Sequence, residues 1–195
     1  SMQVEKIKFF FKFITFINLF CFNHIGTAMA YEEPTYTVIK NTEIYEVRYY
    51  EDRLAVQTLQ ISGEDGAFRR LFRYISGDNE TASKIAMTIP VLQTDEASGL
   101  VMHFFLPKTY SKQNSPLPKA NNVKLVTVAG GYYAVIKYSG RSTNQRHKKH
   151  ANILKDALGK DSISINGDPI QATYNGPFTP FFLRRNESMY RVNWE

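Results

Sequence analysis

Two stretches of this 195-residue chain hold most of the side chains that could do chemistry. In residues 62–77, Phe68, Leu71, Phe72 and Ile75 fall at i, i+3, i+4 and i+7, which predicts an amphipathic helix. Arg69, Arg70 and Arg73 lie beside that face, so the helix offers aromatic surface rimmed by guanidinium groups. The structural reading of such a face is a core helix with a solvated flank. Ser62 with Asp65 three residues on reads as a capping box, and Gly77 as the terminator. The second stretch, 174–187, sets Phe178, Phe181 and Phe182 in a proline-stiffened loop ahead of Arg184-Arg-Asn-Glu187. Proline lowers the cost of holding such aromatic groups ready for a partner.

Signatures of catalysis are scarce. The chain has no nucleophile elbow, phosphate-binding loop or zinc-protease motif, and its single cysteine, Cys21, lies near the start. His147 and His150 sit three apart on a second predicted helix without a carboxylate or third ligand nearby, and His147 shares its face with Ala151, Leu154 and Leu158. A hydrogen-bonded core histidine is the expectation there. His103, in an apolar strand, has the same expectation of core or sheet surface. Arg146, Lys148 and Lys149 lack interleaved aromatics and read as a solvated face rather than a nucleic-acid site. Glu187 is the one acid placed for general acid or base work, with pairing to Arg184 or Arg185 as the structural alternative.

The elements that must position these groups follow from periodicity. Period-two alternation marks strands at 43–49, 54–61, 84–91 and 100–106, with the first helix between the second and third. Residues 31–41 read as an extended lead-in, and 107–122, with three prolines, as a connector. The plan then repeats. Strands at 123–129 and 132–138 are split by Gly130-Gly131, a hairpin signal, and a helix follows, capped by Ser142 with Gln145 and closed by Gly159. Closing strands at 170–174 and up to 194 complete the second half. Ala55-Val56 and Ala134-Val135 are 79 residues apart, and Ser62 and Ser142 are 80 apart. The reading is an α+β fold: twisted antiparallel sheets or a distorted β-barrel from two strand-strand-helix-strand-strand halves, 43–106 and 123–194, with two flanking helices and a cleft between halves.

Residues 1–30 stand apart. Lys6, Lys8 and Lys12 lead into an apolar stretch over 9–22, and Ala28-Met-Ala30 closes it, which predicts a signal peptide cleaved after Ala30 and a periplasmic or secreted product. The apolar stretch is shorter than the ~20 residues of a spanning helix, so no stable membrane span is expected after cleavage. The remaining 31–195, 43% hydrophobic over the whole chain, suits one domain. Cleavage removes Cys21 and lowers the formal charge from +6 to about +4. That mild basicity is weak evidence for a polyanion partner, and no nucleic acid is expected.

Six motifs occur in an order that resembles the SOUL haem-binding proteins: Tyr45-Glu-Val-Arg-Tyr49, Tyr74-Ile-Ser-Gly77 with Asn79, Lys84-Ile-Ala-Met-Thr-Ile-Pro-Val91, Phe105-Leu-Pro107, Tyr174-Asn-x-Pro177 and Arg184-Arg-Asn-Glu187. The resemblance implies a distorted barrel similar to the effector-binding domains of bacterial transcription regulators. It implies haem or a related tetrapyrrole as reversible ligand, held in an apolar cleft by the first helix and the loop near the last strand; without a strong axial ligand this makes a carrier or buffer rather than a redox centre, and no enzyme is expected. Those places are Phe68, Arg69, Phe72 and Arg73, faced by Phe178, Phe181 and Phe182. Some relatives carry His where this chain has Tyr49, so Tyr49 and His147 are weak candidates for the iron and binding without a strong axial ligand is expected. A general module for small hydrophobic cations or lipids is the alternative, and an enzyme using Glu187 the third reading.

Overall fold

The computed structural model describes residues 30–60 and 66–194, and 31–195 forms one compact unit. The predicted signal peptide and the Ser62/Asp65 capping box lie outside the described residues. Among the described residues nine strands make one antiparallel sheet: β1 (Tyr36–Asn41), β2 (Glu46–Tyr50), β3 (Arg53–Gln60), β4 (Val91–Glu96), β5 (Gly99–Phe105), β6 (Val123–Val128), β7 (Gly131–Tyr138), β8 (Ile170–Thr173) and β9 (Asn186–Arg191). Helix α1 (Ala67–Ile75) follows β3, and α2 (Asn144–Lys160) follows β7. The sheet order is β1-β2-β7-β9-β8-β4-β5-β3-β6. Exchanging β2, β3, β4 and β5 for β6, β7, β8 and β9 reverses this order and leaves it unchanged apart from β1. The two predicted halves are therefore related by a pseudo-twofold axis at the β8–β4 seam.

Alternation of side chains sorts the core. Val56, Val91 and Phe104 pack with Leu71, Tyr74 and Ile75 of α1. On the same face Val47, Ala134 and Tyr190 pack with Leu154 and Leu158 of α2. Their sequence neighbours Ala55, Leu92, Phe105, Tyr133 and Met189 point the other way, into a third cluster enclosed by the curl of the sheet.

Several sequence expectations need correction. Gly130-Gly131 is no hairpin: β6 pairs with β3 and β7 with β2, so the chain changes partner at this corner. Close approach is what the glycine serves, because a Cβ on Gly130 would lie 2.4 Å from the Tyr50 carbonyl oxygen. Residues 84–90 are not a strand, and β4 begins only at Val91. The lead-in forms β1, an edge strand on β2. The cap of α2 is Thr143, whose hydroxyl accepts from Arg146 N–H at 3.3 Å, while Ser142 bonds Thr173 and Gln171 instead. Gly159 lies within α2, and Ser162, at φ 57°, takes the left-handed terminal position. Gly77 does end α1, at φ 114°.

Candidate functional site

On α1 the buried stripe is Ala67, Leu71, Tyr74 and Ile75. Tyr74 donates its hydroxyl to Pro116 O at 2.7 Å, pinning the helix to the connector. Arg70 turns back to the sheet, with Nε 2.9 Å from Thr58 Oγ1 and Nη2 3.3 Å from Leu59 O. These anchors leave Phe68 and Phe72 half out of the core, 45% and 49% exposed. Their rings are nearly parallel, at 12° with centroids 6.0 Å apart, and Phe68 meets Phe104 edge-on at 5.1 Å. Arg69 is exposed, and among the described residues Arg73 makes a single, solvent-facing pair with Asp78 at 2.9 Å, worth about 0–1 kcal/mol. The helix thus carries a flat aromatic step with two cations at its rim.

Phe178, Phe181 and Phe182 do not face that step. Their loop leans on the entry to α2: Phe181 O accepts from Gly140 N–H at 3.0 Å, and the Arg141 guanidinium lies 5.8 Å from the Phe181 ring. The groove at the loop is completed by Arg141, Ser142 and Thr143, with no residue of α1. The expected pair of opposing walls is therefore two separate surfaces. The reason is topological: α1 packs over β3 and β5, whereas this loop joins β8 to β9 beside the end of β7.

Opposite the helices, the curl of the sheet encloses a charge cluster that sequence reasoning divided wrongly. Glu187 is buried and pairs with neither Arg184 nor Arg185. Its two oxygens receive Arg48 Nη1 and Nη2 at 3.0 and 3.1 Å, and Tyr174 donates its hydroxyl at 2.6 Å. Arg48 is fully buried and also meets Glu46 at 2.8 Å and Tyr50 Oη at 3.0 Å. Burial alone would lower the Arg48 pKa, but the Glu187 bond outweighs it and raises it. Burial pushes Tyr50 up to about 12 and Tyr174 up further, the latter helped by the Glu187 charge. Both Glu187 oxygens are thus engaged by buried partners within the sheet. The only sequence signal for this was that Arg48, Tyr174 and Glu187 each fall in a family motif.

No described histidine approaches the α1 step. His147 is buried, with Nδ1 2.8 Å from Ser188 Oγ, and His103 Nε2 lies 2.9 Å from Gln57 Oε1. His150 stacks on Tyr138 at 3.9 Å. Tyr49 sits on the α2 side of the sheet, tilted against Tyr132 at 5.2 Å, and is no nearer to α1. The residues of α1 thus fit the plate and carboxylates of a tetrapyrrole, and among described residues none stands ready for its iron.

Two antiparallel half-sheets carrying one helix each define an α+β fold seen in solved structures. The C-terminal domain of EcmrR shares it at a TM-score of 0.59 and 9% identity, over 82% of this chain and 99% of that one. A hydrolase from Listeria innocua shares it at 0.55 and 8%, over 80% and 94%. An uncharacterized conserved protein from the same organism does so at 0.55 and 10%, over 78% and 93%. At such identities the likeness is one of fold alone. No curated protein matches by sequence. The family model described as SOUL heme-binding protein matches residues 31–191, so the chain belongs to the SOUL haem-binding family.

Proposed function

We propose that this protein binds haem or a related tetrapyrrole reversibly on the exposed face of α1, as a carrier or buffer in the periplasm or outside the cell. The observation that carries this reading is the near-parallel Phe68–Phe72 pair with Arg69 and Arg73 beside it. A porphyrin is a flat apolar plate whose propionates hydrogen-bond best to guanidinium groups. The two rings offer it apolar area, and the arginines offer its edge charge-assisted bonds. When bound, the tetrapyrrole supplies its own colour and redox chemistry, and the chain's part is to orient and cover one face. A partly exposed step with no axial ligand among the described residues suits release as well as capture.

Family membership supports the ligand class, and the helix supports the place. The alternative, a module for small hydrophobic cations or lipids, has less support for cations: the buried acid Glu187 already has Arg48 across both oxygens, so a cation there would have to displace a guanidinium. Titration with hemin should give a saturable Soret change, weakened about tenfold or more in Phe72→Asp. Iron-free protoporphyrin should bind within a few-fold of hemin if the plate rather than the metal is held. Absence of saturable binding to either compound would sink the reading.

A further inference from the structure

The loop over 176–183 is not absorbed by that function. Phe178 is 99% exposed, and Phe181, Phe182 and Leu183 are 51%, 65% and 65% exposed, with Pro177 and Pro180 also at the surface. Four large apolar side chains within six positions are an unusual surface for a chain in water. They are also held up rather than floppy. Arg184 braces the loop from within, its Nε and Nη2 each 2.8 Å from Thr179 O and Pro177 O, and Arg185 N–H reaches Asn175 Oδ1 at 2.7 Å. Gly140 N–H bonds Phe181 O at 3.0 Å from the neighbouring segment.

The stretches at the loop are basic in sequence. No acid occurs from 169 to 186, nor from 139 to 155, whose residues 140–143 border the loop, and together these stretches carry seven Arg or Lys residues; Asp95 of β4 lies beside Ser142, Asn144 and His147. One of them, Arg185, is paired with Glu33 at 2.6 Å, and Arg141 sits over the Phe181 ring. Phenyl and leucyl side chains at a braced tip, with guanidinium groups beside them, match a lipid bilayer in cross-section: acyl chains accept the apolar tip and anionic headgroups meet the cations.

The geometry points to a membrane-docking tip: the 176–183 loop inserts its aromatic side chains into the interface of an anionic bilayer, with Arg141 and its basic neighbours on the headgroups. This is independent of tetrapyrrole binding, which uses α1. The test puts the probe at the tip itself, because the apolar 9–22 stretch of the full chain could bring it to lipid by another route. Phe178→Trp in a Trp194→Phe background gives one reporting indole. With phosphatidylcholine vesicles containing phosphatidylserine, its emission should shift to the blue and be quenched by brominated acyl chains. Salt raised to about 1 M, where charges are screened beyond ~3 Å, should weaken the response at least tenfold. Arg141→Gln should weaken it about fivefold, the effect of one cation at such a surface, and Phe181→Ser with Phe182→Ser more than tenfold. The proposal is overturned if the indole keeps water-like emission on these vesicles, or if neutral vesicles act as well and salt has no effect. It is overturned equally if the blue shift follows protein concentration without lipid, or an added oligonucleotide, since the tip then serves a second copy or a nucleic acid.

Discussion

At the scale of single residues, the Arg48–Glu187 pair is the most consequential feature of the molecule. Residues 139 apart are joined because β2, β7 and β9 are neighbours, a fact of pairing that no local pattern in the chain announces. Buried charges of this kind are costly to separate. Glu187→Gln should lower stability by about 3–5 kcal/mol, read as the shift of a urea unfolding midpoint, because Arg48 is left without its main counter-charge. Replacing both, Arg48→Met with Glu187→Leu, should cost clearly less than either single change. His103 sets a second expectation. Burial, and then the Arg53 charge, lower its pKa from 6.5 to about 4, and its Nδ1 has no hydrogen-bond partner among the described residues. The unfolded chain therefore binds a proton that the folded one refuses. Stability from this group is present above pH 6.5 and lost as pH falls toward 4, and His103→Gln should flatten that part of a stability–pH curve. The sequence placed His103 in an apolar strand but not its bond to Gln57, which depends on β3 pairing with β5.

At the scale of elements, both helices were legible from their 3.6-residue period, and their ends were legible only in part. Each finishes in the same motif. Asp78 N–H bonds Arg73 O and Gly77 N–H bonds Tyr74 O on α1, and Ile163 N–H bonds Leu158 O and Ser162 N–H bonds Gly159 O on α2. The left-handed residue is Gly77 in one and Ser162 in the other. This asymmetry predicts opposite outcomes. Gly77→Ala should destabilise by roughly 1–2 kcal/mol, while Ser162→Gly should stabilise by up to about 1 kcal/mol, both measurable as changes in Tm. Thr143→Ala, which removes the cap of α2, should cost about 1 kcal/mol. Ser142 and Thr143 are both good caps by type. The choice between them is made by Thr173 and Gln171, which draw Ser142 into the sheet.

At the scale of the whole molecule, the two halves trade strands. β2 belongs in sequence to the first half yet lies beside β7, and β6 belongs to the second half yet lies beside β3. Neither half can complete its own sheet. A fragment of residues 31–122 should be unfolded by circular dichroism, and mixing it with 123–195 should restore strand signal; an independently folded fragment would contradict the exchange. The corner that makes the trade possible is tight, so Gly130→Ala should destabilise by more than ~1 kcal/mol through contact with the Tyr50 carbonyl. By itself the sequence determined what depends on neighbours along the chain: two helices, most strands, the repeated plan, the aromatic and arginine faces, and the family. Tertiary structure alone decided which strands meet, and with them the partner of Glu187 and the separation of the α1 step from the 176–183 loop. The physical reason is that periodicity records which side of an element is buried, whereas strand pairing is set by backbone hydrogen bonds that every residue type can make.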